Sequence, residues 1–363
     1  MQQVSPDEAK AIFPENDRPE QIEPSVWRLP LPLPFALRAV NVYLIGDDTG
    51  HWTLIDAGLG LPADETAFRA GLAQADVALE EIGALVLTHA HPDHIGMAKM
   101  IQGASGAPIY MLADEIKTLY IAWGEGNEIV SKRLEQEYVA NGLNVGAPEA
   151  LNGYSGSSGD QPRRRRRMVF PLPPHEVFTP LADDQEITLG GWSYRTIWTP
   201  GHSDHHLCLL REDGLFIAGD HVLPAITPNI GLYPESRPNP LRDYFGALER
   251  VKALNTRLTL PGHGLPFVAL ADRAEAIRLH HVERSAALLA LVRERPTGAN
   301  AASLARELFG TRLRSLDDYR FALVETLAHL EYLRAEGNVR RIETLADQQD
   351  EAQAHRHITY LPA

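Results

Sequence analysis

With 363 residues, 44% of them hydrophobic, the chain is long enough for one large domain and a smaller one around a sizeable buried core. Its formal net charge of -14 excludes a surface that is basic throughout, so any grip on a polyanion has to be local. One cysteine excludes an internal disulfide, and no run reaches the roughly 18 apolar residues of a membrane helix.

The polar, acidic stretch 1–20 has no apolar signal core, which makes the cytoplasm the expected compartment. Strand patterns cover 26–29, 39–45 and 52–55, the last ended by Asp56, Ala57 and Gly58. A helix is predicted over 64–75. The apolar strand 84–87 runs straight into Thr88, His89, Ala90, His91, Pro92, Asp93 and His94, from which a helix continues to 102. That order places polar groups at the carboxyl end of a strand, where open sheets present ligand sites. Residues 115–141 read as largely helical, and 152–174, rich in Gly, Ser, Pro and Arg and including the run Arg163 to Arg167, as a mobile surface loop or lid. Strands resume at 186–189, 193–198, 207–210 and 215–218, with Cys208 among aliphatic neighbours as a buried thiol and not a nucleophile. A helix over 241–254 and a strand over 258–260 lead to Pro261, Gly262, His263 and Gly264. Beyond 269 the composition turns helical, over 269–295, 301–309 with Asn300 as N-cap, and 316–336, before strand-like pieces at 338–342 and 357–361. Helices followed by a loose hairpin predict a winged-helix-like module over 269–363, after a first domain over 1–268.

His89, His91, Asp93 and His94 crowd four donor side chains into six positions. Imidazole nitrogen and carboxylate oxygen suit zinc, iron or manganese, and left unpaired in an interior they would be costly to desolvate. The competing reading of this stretch is a solvated polar loop. Three later strand ends repeat one pattern, a glycine turn presenting a single donor: Gly201 and His202, Gly219 and Asp220, Gly262 and His263. Singly each is a commonplace turn, whereas three of them beside the histidine cluster point to one metal centre.

In these residues the chain resembles the metallo-β-lactamase superfamily, whose hallmark is His-x-His-x-Asp-His followed by a lone His, an Asp and a final His. The resemblance covers about 26–268, with every motif in order. It implies an α+β class, a four-layered αβ/βα sandwich, and two divalent metal ions between its sheets, zinc foremost with iron or manganese as alternatives. By the resemblance His89, His91 and His202 would hold the first ion, Asp93, His94 and His263 the second, and Asp220 would bridge them. The segment 54–58 matches the family's first motif, which would make Asp56 a carboxylate that orients a ligating histidine. The implied chemistry is hydrolysis by metal-activated water, with Asp93 and Asp220 as the catalytic carboxylates. His91 stands where the oxygen-reducing flavodiiron branch carries a Glu, which favours hydrolysis, while a mononuclear iron persulfide dioxygenase shares most of these residues and stays open. His206 and His221 flank donor turns, and packing is the stronger expectation for both over donation to an oxyanion.

A looser resemblance, in 261–264, His280, His281, Glu283, Arg284, 304–310 and 321–337, is to the β-lactamase-like-protein-2 and glyoxalase II-like group. That group carries a winged-helix extension and includes thioester-cleaving hydrolases and a single-strand-selective endoribonuclease. His280 and His281 are at least as readily placed on a helix surface as in a catalytic role. The favoured substrate is a small ester, thioester or lactone reaching the metals under the 152–174 loop. The alternative is an RNA backbone followed by Arg163 to Arg167 and the winged module. That module mixes charge signs and has no lysine after Lys252, so RNA is the less favoured partner. A regulatory protein with a vestigial sandwich is disfavoured by the complete donor set. Winged helices also serve as dimer contacts, which keeps a homodimer open, and no membrane partner is expected.

Overall fold

Strands with apolar side chains on both faces need cover on both, which only stacked layers supply. The computed structural model describes residues 18–34, 37–46, 50–125, 127–143, 171–345 and 356–363. The expected lid, up to residue 170, and the Arg163 to Arg167 run therefore lie outside the described residues. One sheet contains β1 (Glu20–Glu23), β2 (Val26–Pro32), β3 (Ala39–Gly46), β4 (Trp52–Ile55), β5 (Ile82–Val86), β6 (Ile109–Leu112) and β7 (Phe178–Leu181) in that spatial order. It is antiparallel as far as β4 and parallel from β4 to β7. The other is formed by β8 (Glu186–Leu189), β9 (Trp192–Trp198), β10 (Leu207–Arg211), β11 (Leu215–Gly219) and β12 (Leu258–Pro261), with β12 parallel to β11 and the rest antiparallel.

Alternation along the strands sorts the layers. Val26, Tyr43, Ile55 and Val86 of the first sheet meet Leu207, Leu209, Ile217 and Leu260 of the second in a central core. The outer face of the first sheet packs Leu29, Leu44 and Leu85 against Phe68 and Leu72 of α1 (Pro62–Gln74). On the second sheet Cys208, Phe216 and Ala218 point outward. The result is the four-layered αβ/βα sandwich.

The helix expected over 94–102 is broken into α2 (Pro92–Ile95) and α3 (Ala98–Ser105). Gly96 between them lies against the chain at Gly58 and Leu59, where a Cβ would come within 2.1 Å of the Leu59 carbonyl. The helical stretch 115–141 divides into α4 (Ala113–Trp123) and α5 (Glu128–Ala140). Of the strands, β1, β6 and β7 have no counterpart in the sequence expectations.

Cover for the second sheet comes from Leu241, Tyr244 and Leu248 of α6 (Pro240–Lys252), and from Leu270, Ala274 and Ile277 of α7 (Leu270–Arg293). The rest of α7 turns to another core. There Leu288 and Val292 pack with α8 (Ala301–Phe309), α9 (Leu316–Ala335) and the antiparallel pair β13 (Val339–Leu345) and β14 (Arg356–Pro362). Asn300 accepts from Ser303 N and caps α8 as the sequence suggests. Among the described residues no helix is long and apolar enough to cross a membrane.

Candidate metal centre

Four strand ends on two sheets aim at one point. His89 and His91 follow β5, with His91 as the N-cap of α2, whose first turns carry Asp93 and His94. His202, Asp220 and His263 follow β9, β11 and β12. The closeness of the last turns is what requires glycine. A Cβ on Gly262 would stand 2.2 Å from Asp220 Oδ1, and Gly219 holds φ +48 with His206 Nε2 at 2.7 Å from where its Cβ would be.

All seven sequence-predicted donors come together. His89, His91 and His202 form one set whose ligand atoms lie within 4.8 Å of one another, and Asp93, His94 and His263 form another. Asp220 lies between the two sets, its Oδ2 3.4 Å from His202 Nε2 and 3.3 Å from His263 Nε2, and its Oδ1 3.6 Å from His94 Nε2. Donors about 2.0–2.2 Å from one tetrahedral ion stand roughly 3.3–3.6 Å apart, which is this spacing. Among the described residues His94 Nε2, His202 Nε2, His263 Nε2 and Asp220 Oδ1 are buried yet make no aligned hydrogen bond. Buried polar atoms are almost always satisfied, so this convergent set fits a cation and fits little else. Of the seven, His91 and Asp93 alone are partly exposed, which puts the mouth of the site on their side.

The electrostatics agree. Burial, helped by neighbouring imidazoles, holds His89 well below its ordinary value, and burial brings His91 down to about 3, so both present free lone pairs. Burial would depress His94 and His263 too, but Asp56, Asp220 and Asp93 outweigh it for His94, and Asp220 and Asp93 carry His263 up to about 10. Those two rings thus take protons where a metal ion would otherwise balance the carboxylates.

Behind the donors stands a layer of hydrogen bonds that fixes each ring. Asp56, at φ +63, accepts from Thr88 N at 2.8 Å and Thr88 Oγ1 at 2.9 Å, and its Oδ2 meets His94 Nδ1 at 2.8 Å. Because the Thr88 hydroxyl donates to Asp56, it accepts from His89 Nδ1 at 3.0 Å, which leaves His89 Nε2 unprotonated, 3.0 Å from His91 Nδ1. His202 Nδ1 donates to Asn229 O at 2.9 Å and His263 Nδ1 to Ala39 O at 2.8 Å.

Several supporting residues carry no signal in sequence. Asn41 Nδ2 reaches Pro261 O at 2.9 Å and Gly264 O at 2.7 Å, and Tyr43 Oη reaches Pro261 O at 2.7 Å, so β3 staples the His263 turn. Glu115 accepts from Ala90 N at 2.7 Å and Ser203 Oγ at 2.6 Å, joining the two histidine loops, and burial raises its carboxyl to about 7.

His206 is no oxyanion donor: its Nε2 accepts from Asp220 N at 3.1 Å, so its Nδ1 donates to Thr199 Oγ1 at 2.9 Å. His221 is buried against the Tyr244 ring, 5.3 Å between centroids. The helix-surface placement fails for His281, which is fully buried and bonded to His329, whereas His280 is half-buried. Cys208 is buried, and desolvation pushes its thiol up to about 12.

A family profile described as Metallo-beta-lactamase superfamily matches residues 36–263, and one described as Metallo-beta-lactamase-like, C-terminal domain matches 286–350. The "Probable metallo-hydrolase YqjP" of Bacillus subtilis is 27% identical over 84% of this chain and 91% of that protein. An "Atrochrysone carboxyl ACP thioesterase" of a Cryptosporiopsis species is 24% identical over 74% of this chain, which spans 62% of that relative. The crystal structure of a metallo-beta-lactamase family protein from Thermus thermophilus superposes with a TM-score of 0.77 at 30% identity, covering 94% of this chain and all of the other.

Proposed function

Since the chain belongs to the metallo-β-lactamase superfamily and is a metallo-hydrolase, we propose that its seven converging donors hold two divalent ions, zinc foremost, and that it cleaves a small ester, thioester or lactone. His89, His91 and His202 would hold one ion and Asp93, His94 and His263 the other, with Asp220 between the two sets. The observation that carries this is the group of buried, unsatisfied imidazole nitrogens facing Asp220. Bound ions supply an electrophile for the carbonyl oxygen and a water acidified towards neutral pH.

The chain's own side chains do the rest. Asp93 lies at the mouth, 16% exposed in its side chain, with Oδ2 3.4 Å from His263 Nε2, where it can receive the proton given up by the attacking water. Asp56 and the Asn229 and Ala39 carbonyls keep His94, His202 and His263 in the tautomer that presents Nε2. An acyl substrate is supported by a relative named for thioester cleavage and by the net charge of -14, which disfavours a nucleic-acid backbone. The C-terminal profile match and the three helices with a hairpin support the β-lactamase-like-protein-2 grouping and its winged-helix extension. We set the division of the chain near residues 268 and 269, with α7 serving both cores.

Elemental analysis of the gently purified protein, with assays on short acyl thioesters, lactones and a fluorescent single-stranded RNA, tests the reading. Two zinc ions per chain with acyl turnover are expected. One iron per chain would return the persulfide dioxygenase, and RNA cleavage without acyl turnover would replace the substrate class.

A further inference from the structure

His202 is the donor whose support leads out of the sandwich. The Asn229 carbonyl that accepts from its Nδ1 belongs to the loop between β11 and α6. The Asn229 side chain, 7% exposed, donates from Nδ2 to Glu325 Oε2 at 2.9 Å, and Leu232 N of the same loop donates to Val324 O at 3.0 Å. Glu325 lies on α9 and is 2% exposed. Its other oxygen accepts from Arg284 Nη1 of α7, whose guanidinium also stands 4.9 Å from the centre of the Phe309 ring of α8. A continuous path therefore runs from a metal-site imidazole through Asn229 and Glu325 to Arg284, and all three C-terminal helices take part.

The neighbouring donors do not form a second metal site. His281, Glu325 and His329 come within 4.8 Å of one another. Both Glu325 oxygens are already bonded, and the Arg284 charge beside them opposes a cation. His329 Nδ1 is engaged by Ser285 Oγ at 2.8 Å and its Nε2 by His281 Nδ1 at 3.2 Å. The cluster is a polar strut.

We infer that Asn229 and Glu325 are positioning residues of the metal centre, through which the C-terminal helices hold the carbonyl that orients His202. A carboxylate that accepts from an amide in a buried setting makes a strong, directional bond, and partners one step behind a ligating histidine set its ring angle. The assignment rests on the proposed reading of His202 as a metal ligand.

Asn229→Ala cuts the path but leaves the backbone carbonyl and the Arg284–Glu325 pair intact. Asn229→Leu removes the same donor without leaving a cavity. For each, zinc affinity of the metal-stripped protein is measured by competition with a chromophoric chelator, alongside its thermal unfolding. The expected result is roughly a 10- to 100-fold loss of zinc affinity in both variants. Activity should return at excess zinc, while the stripped protein, though less stable for the lost buried bond, still unfolds in one cooperative transition above the assay temperature. Wild-type zinc affinity in the folded variants overturns the inference. His202→Ala separates the two levels: if it too binds zinc like the wild type, the metal reading fails, and if it alone loses zinc, only the strut fails.

Discussion

A histidine offers a metal one nitrogen, and the bond made by the other decides which. Asp56 shows the principle best, because its oxygens hold Thr88 and the Nδ1 of His94 together. Asp56→Asn is an informative probe, since asparagine tolerates the φ of +63 at this position and its remaining oxygen can keep Thr88 N and Oγ1 while the acceptor facing His94 is replaced by a donor. Metal affinity and turnover should fall by roughly 10- to 100-fold. An unchanged zinc titration would show that Asp56 does not orient His94. Asp220→Ala and His202→Ala should go further, losing bound metal and nearly all activity while circular dichroism stays native; a wild-type rate in either would refute the donor assignment. The donors were legible in the sequence because histidine and aspartate after strand-ending glycines are conspicuous. Thr88, Glu115 and Asn229 were not, because their types occur everywhere and no spacing marks them as supports.

At the scale of elements, the turns carry the chemistry and the strands carry the turns. Gly262 is the tightest test. With 2.2 Å between its would-be Cβ and Asp220 Oδ1, Gly262→Ala should displace the carboxylate and abolish metal binding. Gly103→Ala, where nothing lies within 4 Å, should instead stabilise α3 by about 0.5–1 kcal/mol, read as a higher melting temperature. Long apolar strands and the capped helices were readable from periodicity, and Asn300 marked the start of α8 correctly. The short strands β6 and β7 were hidden, β6 because four residues before a helix show no period and β7 because Pro180 argues against a ladder position. Pro180 is tolerated there since β7 is an edge strand with β6 on one side only. The break at Gly96 was invisible too, being dictated by the chain at Leu59 that the helix must pass.

For the molecule as a whole, α7 ties the halves together, covering the second sheet at one end and the C-terminal core at the other. That core is sensitive to acid. Burial brings His329 from an ordinary 6.5 down to about 3 in the folded chain, so between those values only the unfolded chain takes the proton. Its contribution is complete above pH 6.5 and declines as pH falls towards 3. Burial alone would raise Glu325, but Arg284 outweighs it and brings the carboxyl from 4.5 to about 2, so this contribution is present above pH 4.5 and lost as pH falls through 2. The melting temperature should therefore drop between pH 6.5 and 4, with a shallower slope in His329→Gln; parallel slopes would count against it.

The staple between Asn41 and the His263 turn joins positions 220 residues or more apart in the chain. A ribosome releasing this protein has therefore to deliver Gly264, and its strand has to dock, before the last donor can take its place. An ion held by all seven donors therefore cannot serve as a nucleus around which synthesis proceeds. It arrives at a finished cavity, and cells starved of the ion should accumulate folded, inactive protein instead of degraded fragments.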